Sequence, residues 1–272
     1  MKFKIIFVLA IAVIGESKEI DKSRRIAGGA EATAGLFPWH ARVEPFNGID
    51  RRLCGGALIK YNWILSAGQC INGAREIIIR LGVVNILQGG GTAFLIRNQA
   101  HIIVHENFNA DLENSIFVND IGLIFIEEAT QNILGDRINT ISLPTNPNLN
   151  VVDYFGIATG FGFSEDGEDA LLSMQLRFVG MQIINRNTCI QQHGSSVVTN
   201  NHFCTLTDGG VSTCIGDEGA PLITYLNLNP VLVGIGSTPL QRCTLGFPAI
   251  FTDVLQYLDW INRWTSIIPY TS

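Results

Sequence analysis

Lysine is nearly missing from the sequence beyond its first residues: four of the five lysines precede Ile26, and Lys60 alone follows it. Six basic and three acidic residues lie in positions 1–25, so the remainder carries 12 basic against 21 acidic residues, a net charge of −9. Nucleic-acid backbones and anionic lipid surfaces are held by clustered positive charge, and this balance excludes both as partners. No apolar run reaches the roughly 20 residues that a membrane-spanning helix needs. The longest at the start, Ile5 to Ile14, has ten. Cys-X-X-Cys spacings and Cys/His clusters are absent, so no metal is expected, and no motif calls for a cofactor. Asn-X-Ser/Thr acceptors are also absent, which excludes N-glycosylation. Charged residues make up only 15% of the chain against 47% apolar ones, a composition that excludes a disordered chain.

What is present begins with a basic start, Lys2 and Lys4, then that apolar run and the small residues Gly15 and Ser17. This is the pattern of a secretory signal over residues 1–17, followed by a short propeptide over 18–25. The chain is therefore expected to be secreted and extracellular. Its six cysteines, Cys54, Cys70, Cys189, Cys204, Cys214 and Cys243, are then expected in disulfides. Counting alone leaves about 15 connectivities open.

From Ile26 onward, short β-branched runs alternate with turn residues such as Asn72-Gly73 and Asp208-Gly209-Gly210. Such spacing predicts an all-β sandwich or barrel. Strands are expected over 57–60, 63–66, 76–81, 121–126, 155–159, 222–225 and 231–235. A helix is expected only at the end, where Asp253 can cap a segment with Val254, Leu258, Ile261 and Trp264 on one face. The polar stretch 142–150 is the candidate connection between two halves.

Four separated patterns then coincide. They are Arg25-Ile26-Ala27-Gly28-Gly29; Leu53-Cys54-Gly55-Gly56 leading to Ala67-Gly68-Gln69-Cys70; Asn119-Asp120-Ile121-Gly122-Leu123; and Cys214-Ile215-Gly216-Asp217-Glu218-Gly219-Ala220-Pro221. In order and spacing they resemble the landmarks of the trypsin/chymotrypsin serine protease family, and the short prosegment and strand sequences resemble its arthropod members. The resemblance implies one protease-like domain over 26–267, built of two six-stranded antiparallel β-barrels with a C-terminal α-helix. It implies a first barrel up to about residue 142 and a second from Leu143. It also implies the pairings Cys54–Cys70, Cys189–Cys204 and Cys214–Cys243.

The family's chemistry needs a hydroxyl, an imidazole that takes its proton, and a buried carboxylate that orients the imidazole. Asp120 stands at the carboxylate position. Gln69 stands where the histidine belongs, and glutamine cannot exchange a proton near neutral pH. Glu218 stands where the serine belongs, beside Gly216, whose N–H would form the oxyanion hole with that of Glu218 itself. None of the five histidines (40, 101, 105, 193 and 202) lies in a matching block. Losing the serine or histidine of such a triad costs on the order of 10⁶-fold in turnover. The expectation is that the catalytic set is empty and the chain is not an enzyme.

The resemblance places Ser212 at the base of the specificity pocket, with Ser237, Pro239 and Gly246 as its walls. It gives Arg25, Ile26 and Asp217 an activation role, in which cleavage frees an α-amino group to pair with the aspartate. The expected function is that of a secreted, catalytically inactive homologue that binds a protein partner (a protease, zymogen or inhibitor) as cofactor, decoy or regulator. The alternative, which the fold family itself implies, is an active serine-type endopeptidase with chymotrypsin-like preference.

Overall fold

The computed structural model describes residues 29–114, 116–127, 130–163, 171–206, 212–237, 243 and 245–266. The expected signal and propeptide, with Arg25 and Ile26, lie outside the described residues, as does Pro239. Sixteen strands and three α-helices follow one another along these residues.

Strands β1 (Ala30–Glu31), β2 (His40–Phe46), β3 (Cys54–Lys60), β4 (Trp63–Ser66), β5 (Glu76–Leu81), β6 (Thr92–Ile96), β7 (Ile102–Val104), β8 (Asn109–Asp111), β9 (Ile116–Val118) and β10 (Gly122–Phe125) come from the first half. Between β4 and β5 lies a one-turn helix, α1 (Gly68–Ile71). The second half supplies β11 (Phe155–Gly160), β12 (Arg177–Ile184), β13 (His202–Leu206), β14 (Pro221–Leu226), β15 (Asn229–Gly236) and β16 (Ala249–Asp253), with α2 (Arg186–His193) before β13 and α3 (Leu258–Ser266) at the end. The expected strands fall on β3, β4, β5, β10, β11, β14 and β15.

β5 shows why these residues form strands. Ile77, Ile79 and Leu81 are fully buried, whereas Glu76, Ile78 and Arg80 face outward, the period of two that a half-buried strand requires. The second sheet closes on itself: its order is β12-β11-β14-β15-β16-β13, and β13 pairs back to β12. Six strands therefore form a closed barrel around Met181, Ile183, Phe203, Leu222, Val233 and Phe251. The first sheet, β6-β5-β2-β3-β4-β10-β7, is curled around Val43, Leu58, Leu65, Ile77 and Leu123, and its edges β6 and β7 are not paired to each other.

Two expectations are corrected. β1 belongs by sequence to the first half but pairs with β12, because Arg177 reaches across to Gly29 O and Glu31 and fastens the strand to the second sheet. The terminal helix starts later than expected. Asp253 does cap, accepting from Leu255 N at 3.1 Å, but the turn it caps is a 3₁₀ turn over Val254–Tyr257 that leads into α3. Such turns are common at helix starts. α3 then lays Leu258, Trp260 and Ile261 on the core of the first sheet.

Two consecutive residues tie the two sheets together. Ile141 N donates to Leu58 O in β3, and the next residue, Ser142, accepts from Leu232 N in β15. A second tie is buried: His40 Nδ1 of β2 lies 2.9 Å from Thr159 Oγ1 of β11. The three disulfides join Cys54 to Cys70, Cys189 to Cys204 and Cys214 to Cys243, and bonds of this kind fit an oxidising compartment. Among the described residues no helix is long and apolar enough to cross a membrane.

Candidate functional site

Three of the residues singled out by sequence converge between the sheets. α1 follows β4 directly and carries Gln69, and the Cys54–Cys70 bond ties this turn to the start of β3. Asp120 follows Asn119, which sits at φ +51°, a left-handed conformation that asparagine tolerates better than most residues. Asn119 is held there by its own side chain, which donates to Asn107 O and accepts from Asn201 Nδ2 and Tyr257 Oη.

Asp120 is fully buried and surrounded by donors. Gln69 N reaches its Oδ1 at 2.8 Å, while Gln69 Nε2 and Ser237 Oγ both reach its Oδ2 at 2.7 Å. The second hydrogen on Gln69 Nε2 goes to Ser237 O at 2.9 Å, so the amide is held at both N–H bonds. These bonds favour the charged carboxylate, yet burial outweighs them and raises the Asp120 pKa above the ordinary value. Ser237 N pairs with Ile250 O just past β15, and its hydroxyl turns toward Asp120.

The turn 214–220 is packed too tightly for side chains at its glycines. A Cβ on Gly219 would strike Ser66 Oγ and Gly55 O, and Gly219 also sits at φ +78°. Glu218 O accepts from Gly55 N at 2.7 Å, which locks the turn to β3. Within it, Glu218 Oε2 accepts from Gly216 N at 2.9 Å. Burial raises the Glu218 pKa to about 7, the charges of Asp217 and Asp120 push the same way, and the N–H groups of Glu218 and Gly216 oppose them. The Glu218 carboxyl group thus engages the N–H groups of Gly216 and of Glu218 itself.

Asp217 points the other way, into the second barrel's rim. Its Oδ1 accepts from Gly162 N at 2.8 Å and its Oδ2 from Cys214 N at 3.0 Å. Burial lifts its pKa to about 6 in spite of both bonds. A Cβ on Gly160 or Gly162 would collide with this carboxylate, so the glycines make its seat.

Beside Gln69 and Glu218 opens a cavity of about 350 Å³, walled by Leu53, Phe163, Leu172, Ile215 and the Cys54–Cys70 bond, with Arg52 on its edge. Arg52 Nη2 donates to Gln69 O and Cys70 O. Ser212 is fully buried, its Oγ without a partner among the described residues. Gly246 is exposed and sits at φ +78°.

The histidines are engaged elsewhere. His40 bonds Thr159, His101 lies between Asn98 and Glu127, His105 packs on Tyr257 and Trp260, His193 bonds Pro248 O and His202 bonds Thr199. Among the described residues no group of three or more His, Cys, Asp or Glu is arranged to hold a metal. Sequence reasoning missed Arg52, the link of Ser237 to Asp120, and the Asn119–Asn201–Tyr257 network. Of these only Asn119 left a trace, as an asparagine immediately before the buried acid.

The Trypsin family profile matches residues 26–261. The chain is 32% identical over 275 residues to a collagenase of Hypoderma lineatum, covering 98% of this chain and 100% of that protein. It is 34% identical over 246 residues to brachyurin of Leptuca pugilator, covering 90% of this chain and all of the relative. It is also 34% identical over 251 residues to serine protease 1 of Drosophila melanogaster, covering 91% and 88%. The solved structure of HL collagenase superposes with a TM-score of 0.77 at 29% identity, over 89% of this chain and all of that one. These relatives correct the expectation, drawn from Gln69 and Glu218, that the chain is not an enzyme: proteins this similar over most of its length are named as proteases, and that weighs for an enzyme.

Proposed function

Because the chain belongs to the trypsin family, we propose that it is secreted and that its cleft works by holding a polypeptide in the service of a protease pathway, as a cofactor, decoy or regulator. The observation that carries this reading is the 2.9 Å bond from Gly216 N to Glu218 Oε2. Donors that in the family receive the developing charge of a reacting carbonyl are here aimed at a carboxyl group of the chain itself. Gln69 supports it from the other side, since its amide is fixed between Asp120 and Ser237 O and offers no lone-pair nitrogen to take up a proton. The apolar cavity beside them supplies contact area for a side chain of the bound polypeptide.

The same reading includes activation. Asp217 is a buried acid whose bonds among the described residues come only from backbone N–H groups, and a buried carboxylate is best compensated by a cation. Cleavage after Arg25 frees the α-amino group of Ile26 for that role. N-terminal sequencing of the secreted protein should give a major species starting at Ile26, and one starting at Lys18 defeats the activation step.

A second reading, a serine-type endopeptidase with chymotrypsin-like preference, is favoured by the names of the relatives and by the neutral Ser212. One experiment separates the two. The matured protein is given a fluorophosphonate probe and a labelled peptide with an apolar side chain. Saturable peptide binding supports the binding reading, and its absence defeats it. Turnover with labelling in the cleft supports the endopeptidase.

A further inference from the structure

On the face of the first sheet turned away from its own core, two arginines stand directly opposite each other: Arg42 of β2 is the register partner of Arg80 of β5. Like charges at such a position repel. One acid lies between them, and both Nε–H groups go to the same atom, Glu44 Oε1, at 2.8 and 3.0 Å. One carboxylate against two guanidiniums leaves a surplus positive charge. It also leaves surplus donors: among the described residues Arg42 Nη1 has no hydrogen-bond partner, and Arg80 bonds through Nε alone.

These groups line a cavity of about 340 Å³, whose far wall is the 82–91 loop with Val83, Ile86, Gly89 and Gly90. The Arg42 side chain is 14% exposed and its guanidinium lies 5.5 Å from the Phe161 ring centroid, so the charge is poorly hydrated and held in place. The surplus continues along the face, where Arg51 and Arg97 share the single acid Glu76. Four arginines against two acids thus occupy one face of a chain whose net charge is −6.

We infer that Arg42 and Arg80 form a binding site for an oxyanion, a carboxylate or sulfate group presented either as a free ion or on an acidic polypeptide. A guanidinium is the side chain best suited to such groups, because its planar fork gives two parallel N–H bonds to two oxygens. The oxyanion supplies the second negative charge that the pair with Glu44 lacks. The partial enclosure of the cavity keeps screening by salt weak.

The test is thermal unfolding of the whole protein with sodium sulfate or hexaglutamate, each against sodium chloride at equal ionic strength. At about ten times Kd, a ligand bound to the folded state alone should raise Tm by about 3 °C. Arg80→Met should abolish the shift, with Arg80→Gln taking its place if that variant does not fold. Arg97→Met, outside the cavity, should keep it. A sulfate shift that Arg80→Met removes establishes the free ion as sufficient, and such a shift with hexaglutamate alone assigns the site to acidic polypeptides. No shift beyond chloride with either probe, or an undiminished shift in the Arg80 variant, overturns the inference.

Discussion

Gln69 and Asp120 are joined twice, backbone N–H to Oδ1 at 2.8 Å and side-chain Nε2 to Oδ2 at 2.7 Å, so that a glutamine holds the buried carboxylate as a two-point clamp. Removing the side chain takes one donor from Asp120 and another from Ser237 O. Gln69→Ala should therefore destabilise the fold by about 1–3 kcal/mol, measured by urea denaturation, because buried acceptors left without donors carry that penalty. A loss below a few tenths of a kcal/mol would mean that water replaces the amide fully.

Glu218 gives the molecule a pH dependence whose sign is fixed by burial. Its carboxyl titrates near 4.5 when unperturbed and at about 7 in the fold. Below both values it is neutral in either state and adds no penalty. As pH rises through that window the unfolded chain ionises freely while the fold resists, so stability falls and levels off above the folded value. Glu218→Gln should thus stabilise the protein by about 3 kcal/mol near pH 8 and by nothing near pH 4. Denaturation curves at the two pH values check it, and equal gains at both contradict it.

The β14–β15 hairpin turns through Asn227 and Leu228, at φ +49° and +66°, and Leu228 is 92% exposed. Two left-handed residues suit such a turn, but leucine is poorly made for the second. Leu228→Gly should raise stability by about 1 kcal/mol, since the side chain there makes strain and few contacts. An unchanged or lower Tm would count against the turn geometry.

The Cys189–Cys204 bond closes a loop of 15 residues at α2 and β13, remote from Gln69 and Glu218. Replacing both cysteines by alanine should cost about 3 kcal/mol in denaturation while leaving peptide affinity of the cleft within about twofold. A larger loss of affinity would place this bond in the cleft's support.

The parts of the fold that a sequence can show were those with local causes. β5 was readable from its β-branched run between turn residues, the capping role of Asp253 from its place before an apolar stripe, and the family from four motifs in series. Relationships made only by folding were not readable. Nothing near Ser237 announces that its hydroxyl meets Asp120, 117 positions earlier in the chain. β1 joins the second sheet through Arg177, 146 positions further along the chain than Glu31. The pairing of Arg42 with Arg80 depends on the register of β2 and β5, and a slip of either strand by one residue would have turned its arginine to the core side. The weight given to Gln69 and Glu218 in denying enzymatic activity rested on two positions, while the resemblance to named proteases runs along nearly the whole chain.

Ile141 and Ser142 fasten consecutive residues to opposite sheets. One residue of extended chain spans only about 3.3–3.6 Å, so the sheets have almost no slack at this point. A displacement of one sheet at this point must carry the other with it. A tug on either sheet is passed to the other with no intervening spring.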